Sequence, residues 1–124
     1  MAELTLKQFN TYVHNREDMS GLDLSGLNLS HLIIKNVNFR GANLSKCDLS
    51  NSDLSGSDLT RANLRGATLN GAIFCGTIFV RANLAVTNIR KADLRDSDFT
   101  GANLSGAASN SGQSTATVSY THLR

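Results

Sequence analysis

One spacing constrains this chain more than its composition does: a large apolar residue returns every five positions. Leu24, Leu29, Ile34, Phe39, Leu44, Leu49, Leu54, Leu59, Leu64, Leu69, Phe74, Phe79, Leu84, Ile89, Leu94, Phe99 and Leu104 form an unbroken series. Two residues before each of these centres lies a second uncharged residue. It is large at Leu22, Leu27, Leu32 and Val37, and small from Ala42, Cys47, Ser52 and Ser57 onward. Five steps of a helix overshoot one turn by about 140°, and five steps of a strand switch faces each time, so no straight element buries this pattern. A chain that turns a corner after every pentad does, and repeating that corner builds a solenoid.

The phrases "GANLS", "RANLR", "RANLA" and "KADLR" match A(D/N)LXX, and on them the chain resembles the pentapeptide-repeat family over residues 22–106. The resemblance implies an all-β fold, a right-handed quadrilateral β-helix with four pentads per coil. Residues 22–41, 42–61, 62–81 and 82–101 would be the coils, with 102–106 beginning a fifth. Residues twenty apart would then stack, giving core columns such as Leu24, Leu44, Leu64 and Leu84, and Phe39, Leu59, Phe79 and Phe99. At about 4.8 Å per coil the prism would stand roughly 20 Å tall, with two ends that need covering.

Residues 1–21 read as an N-terminal capping helix and linker. Thr5 with Gln8 forms a capping box, Leu4 and Phe9 occupy staple positions, and Leu6, Phe9 and Val13 share one face, so a helix over about residues 6–16 is expected to lie on the first coil. Residues 107–124 lose the pentad and have the composition of a flexible tail, possible non-native sequence included. Three readings of this end stay open: the fifth coil is a dimer interface, the tail folds back as a strand through Ala116 to Tyr120, or the chain is a fragment of a longer array.

Residues 71–86, "GAIFCGTIFVRANLAV", depart from the polar phrases around them. Positions one before and one after each centre face outward, so Ile73, Cys75, Ile78 and Val80 predict an exposed apolar patch on two adjoining faces of the third coil. Ile33 falls in the column of Ile73, and Ala85 and Val86 continue past the next corners. A contiguous apolar cluster on a polar solenoid points to a partner, against the plainer account that β-branched residues suit an exposed strand. The partner-binding patch is therefore read as Ile33, Ile73, Cys75, Ile78, Val80 and Val86. Arg40, Arg61 and Arg81, with Lys46 and Arg65, gather along one edge, while Asp48, Asp53, Asp58, Asp93, Asp96 and Asp98 lie on other faces. Asn43, Asn63, Asn83 and Asn103 share one face and suggest a ladder of side-chain amides.

A net charge of +2 gives no field that selects nucleic acid or a membrane. The acid-bearing N-terminal segment is neither a signal peptide nor a membrane span, and Cys47 and Cys75 form no disulfide framework, so a reduced, cytoplasmic protein is expected. His14, His31 and His122 are scattered, no nucleophile elbow or phosphate loop appears, and a convex prism offers no cleft. No enzyme, cofactor or metal is therefore expected. "NLS" at Asn28, Asn43 and Asn103 spells a glycosylation acceptor, but the repeat produces that phrase by itself.

The function expected is a non-catalytic protein-interaction or scaffold module with a protein partner, a homodimer through the C-terminal coil or the Ile73/Ile78 patch being one form of it. The alternative is a DNA-mimic protein that binds gyrase or another topoisomerase, as the resemblance to the quinolone-resistance branch implies. Those relatives look long and acidic, and this chain is short and slightly basic. A secreted effector is a third reading.

Overall fold

The computed structural model describes residues 4–15 and 18–109. Its repeating unit is a corner. In the segment Phe39–Arg40–Gly41–Ala42 the Ala42 N–H donates to the Phe39 carbonyl at 2.9 Å, and Gly41 has φ 68. A left-handed third residue is the requirement of a type II turn. The same position recurs every five residues from Gly21 to Gly106, filled by nine glycines and by nine other residues including His31, Asn36, Asn51, Arg61, Arg81 and Val86. The abundance of Gly and Asn thus marks corners and not loose loops. Val86, at φ 52, is β-branched in a region such side chains avoid, and so is strained.

A second local device holds most corners. The residue before the centre is mostly Asp or Asn, and its Oδ1 accepts the backbone N–H two residues on. Asp53 accepts from Ser55 at 3.0 Å, and the Ser55 hydroxyl adds a bond of 2.6 Å to the same oxygen. Asn43 with Ser45 and Asp58 with Thr60 repeat the arrangement. The "DLS" and "NLS" phrases are these Asx turns. The expected amide ladder is corrected by the same observation: the Oδ1 atoms of Asn43, Asn63, Asn83 and Asn103 accept from their own chain two residues on.

Four corners close one coil. Every recorded bridge is parallel and joins residues twenty apart, from Asp23↔Asn43 to Asn88↔Ala108, so the coil is four-sided. Each centre from Leu24 to Ile89 donates to a carbonyl in the next coil, as Leu24 does to Asn43 at 2.7 Å, and the next coil donates back, as Asn43 does to Leu22 at 2.8 Å. The bridges are single residues and not continuous strands, because the chain turns before a second pair can form. The sides are numbered here in chain order, with centres Leu24, Leu29, Ile34 and Phe39 opening the first to fourth.

The centres from Leu24 to Phe99 are buried, Leu94 at 9% being the most exposed of them, and the small column packs between them. Its buried hydroxyls return their protons to carbonyls: Ser57 to Ile34 at 2.8 Å, Thr77 to Leu54 at 2.8 Å and Ser97 to Phe74 at 2.7 Å. Among the described residues no buried side-chain polar atom lacks a partner. Cys47 belongs to this column. Burial pushes its thiol up to about 11, and the group donates to the Leu24 carbonyl at 3.0 Å. Phe79 and Phe99 stack at 4.6 Å, as the shared column predicts.

Helix α1, Leu6–His14, covers the first coil and carries the expected capping box between Thr5 and Gln8. Phe9 is fully buried and stacks on Phe39 at 6.3 Å, with Leu4, Tyr12 and Val13 packed beside it. Leu6 is 42% exposed and is not among the side chains packed on the core, unlike Leu4, Tyr12 and Val13. The repeat also reaches further than 22–106. Met19 is a buried centre whose N–H donates to Asn38 at 3.0 Å, and Asp18 caps its corner through Ser20. At the other end Ile89 donates to Ala108 at 2.8 Å, which places Ala107 and Ala108 in the ladder. The expected tail otherwise lies outside the described residues, as does a strand through Ala116 to Tyr120.

Candidate interaction surface

The third and fourth sides are where the outward positions break the repeat's own rule. Down the third side run Ile33, Asp53, Ile73 and Asp93, and down the fourth Asn38, Asp58, Ile78 and Asp98, each bridged to the next. Ile73 and Ile78 stand where a carboxylate or amide would cap the corner, so the backbone at Cys75 and Val80 lacks the side-chain acceptor that Asp53 gives Ser55. Ile73 is 39% exposed and Ile78 is 37% exposed, with Cys75 and Val80 half-buried between and beyond them. These four form one cluster around the edge between the two sides.

Ile33 is 74% exposed but separated from Ile73 by Asp53, and so it is an outlier of the cluster. Val86 occupies the corner between the first and second sides, diagonally opposite, and does not belong to it. Ala85, expected to extend the patch outward, is buried.

Carboxylates frame the cluster above and below, and cations answer them. Lys35 reaches Asp53 at 3.5 Å, Arg40 reaches Asp58 at 3.0 Å, and Arg95 grips Asp93 at 2.7 Å. The hydrogen bond from Arg95 holds the Asp93 carboxyl down at about 2. Desolvation and the neighbouring Asp93 carboxylate push the Cys75 thiol up, so this half-buried cysteine is kept protonated and is a poor nucleophile. Arg40, which the sequence grouped with Arg61 and Arg81, is thereby paired with a carboxylate of the fourth side.

Elsewhere the surface offers little to catalysis. The described residues contain no group of His, Cys, Asp or Glu fit to hold a metal ion, and no helix among them is long and apolar enough to cross a membrane. A shallow, open depression on the outer face of α1 is lined by Leu6, Lys7, Asn10, Thr11 and His14 and has no acid–base pair.

The comparisons with known proteins agree with this architecture. Eight copies of the pentapeptide-repeats family model match the chain, over residues 23–61, 42–79, 57–95 and 77–108. Among solved structures, the pentapeptide repeat protein Rfr23 from the cyanobacterium Cyanothece 51142 is 28% identical, with a TM-score of 0.53 over 72% of this chain and 60% of that one. QnrB1, a plasmid-mediated fluoroquinolone resistance protein, in a trypsin-treated variant form, is 24% identical with a TM-score of 0.51 over 77% and 59%. A pentapeptide repeat protein of the Arabidopsis thaliana thylakoid lumen is 28% identical with a TM-score of 0.42 over 74% and 64%. The chain spans less than two thirds of the length of each. No curated protein matches it. With the family model matched from residue 23 to residue 108, on a four-sided coil that returns every twenty residues, this chain belongs to the pentapeptide-repeat family.

Proposed function

We propose that the protein is a non-catalytic interaction module, resident in the cytoplasm, that meets a protein partner through the cluster of Ile73, Cys75, Ile78 and Val80. One observation carries this reading. At Ile73 and Ile78 the corner gives up the side-chain hydrogen bond that its neighbours have, and large apolar groups stand more than a third exposed in its place. The fold gains no core from them, whereas an apolar partner would. Two free thiols, one of them at the surface, suit a reducing compartment.

The test uses Ile73→Asn with Ile78→Asn. Asn already occupies four stacked positions on the first side, so both substitutions restore the Asx turn without lining up carboxylates. The double variant is expected to melt at the same temperature as the parent, or slightly above it. Partner proteins retained from a cytoplasmic extract, or a second copy detected by light scattering, should be lost with it. Unchanged retention and unchanged mass would remove the cluster as the contact, and a collapsed melt would mean that the two isoleucines are structural.

A further inference from the structure

The first side has a chemistry of its own. Its central column is headed by Asp23 and continues as Asn43, Asn63, Asn83 and Asn103, bridged in series, and below Asp23, over residues 42–46, 62–66, 82–86 and 102–106, it carries no acid. Along one edge stand Arg61 and Arg81, and across the face from them stand Arg65 and Lys46, all four exposed. The ion pairs recorded among the described residues take Lys35, Arg40 and Arg95, so among those residues no carboxylate lies within 4.0 Å of these four cations.

Their placement is fixed by the corners. Arg61 and Arg81 have φ 59, and both belong to the column of left-handed residues that also holds Gly101. Side chains in these columns lean along the solenoid onto the following coil. The Arg81 Cγ would stand 3.1 Å from a Cβ on Gly101, and the Lys46 Cγ 3.6 Å from one on Gly66. Arg61 precedes Arg81 by one coil in the same column, so the two residues lie about 4.8 Å apart at the backbone. Two exposed cations on adjacent coils of one column repel each other, and an anion bound beside them relieves that repulsion.

From this arrangement we infer that the first side is a docking surface for an acidic polypeptide segment, distinct from the apolar cluster at the edge between the third and fourth sides. Guanidinium groups accept carboxylates in a two-toothed grip, and the floor of asparagines offers amide groups to a backbone laid along the axis. A short acidic segment spans this face alone. A nucleic-acid duplex, with one charge per about 1.7 Å of axis, would overhang the adjoining sides and meet Asp48 on one and Asp58 on the other.

The experiment is fluorescence anisotropy of the full chain with a labelled peptide of twelve alternating Glu and Asp residues, with a labelled twenty-base-pair duplex and inorganic phosphate as competitors. Arg61→Asn with Arg81→Asn keeps residues that tolerate the left-handed corner, and is expected to weaken peptide binding at least tenfold. Arg40→Asn with Arg95→Asn removes the same charge from the other sides and is expected to change it less than twofold. Binding should weaken steeply with salt. An equal loss in both double variants, no binding by the parent chain, or displacement of the peptide by the duplex or by phosphate at lower concentration would each overturn the proposal.

Discussion

Gly56 and Val86 occupy equivalent corners and illustrate opposite errors of fit. At φ +73, a Cβ on Gly56 would stand 2.1 Å from the Asn36 Oδ1 of the preceding coil, so Gly56→Ala pays for both the left-handed backbone and a displaced amide. The expected loss is about 1–2 kcal/mol in urea denaturation. Val86, 52% exposed, buries little, and Val86→Asn is expected to add about 1 kcal/mol by removing β-branched strain. Equal effects of one sign would show that the corners are not what limits these sites. The aspartates supply a pH dependence. Burial alone would raise Asp53 and Asp58, but the bonds from Ser55 and Thr60, with Lys35 and Arg40, bring both below the ordinary value, and Asp93 is down at about 2. A folded-state pKa below the unfolded one stabilises above the unfolded pKa, near 4, and that stability drains away as pH falls toward 2. Urea midpoints should therefore drop between pH 4 and pH 2. Asn at positions 53, 58 and 93 keeps the turns and should flatten that limb; an unchanged slope would assign acid unfolding elsewhere.

At the scale of elements, α1 is what closes that end of the stack among the described residues. Phe9 is fully buried against Phe39, and Phe9→Ala is expected to cost about 3–5 kcal/mol and to loosen the first coil before the others, as amide exchange at Leu24 against Leu64 would report. Equal protection at both sites would mean that the helix is dispensable. The pentad centres and their columns were legible in the sequence because each depends on one residue type at one spacing. Met19 was not read as a centre, although Asp18 before it and Gly21 after it complete the pattern; a methionine in a series of Leu, Ile and Phe hid the frame. Leu6 fitted helical spacing, yet spacing fixes only the direction of a side chain and not whether the packing covers it. The asparagine column was placed correctly and its bonding was not, since a stack of amides competes with the turn N–H that each Asn meets locally. Exposure of Ile73 and Ile78 followed from the frame; the opposite position of Val86 followed from counting corners, which the grouping by sequence proximity ignored.

Across the whole molecule, register is quantised. Every column repeats at twenty residues and every side at five, so the core accepts any whole number of pentads while the surface does not. Removing residues 62–66 should leave a cooperatively folded chain whose downstream sides are all rotated by a quarter turn relative to α1. Spin labels at Ser30 and Arg90, in a Cys75→Ser background, share the second side and lie three coils, about 14 Å, apart at the backbone. Their separation should lengthen in the shortened chain as Arg90 passes to an adjoining side, and an unchanged distance would contradict the four-sided coil. The sequence therefore behaves as a dial: insertions and deletions of five residues re-aim one part of the surface against another at constant core, and a lineage can turn the apolar edge toward α1's own flank or away from it without inventing a new side chain.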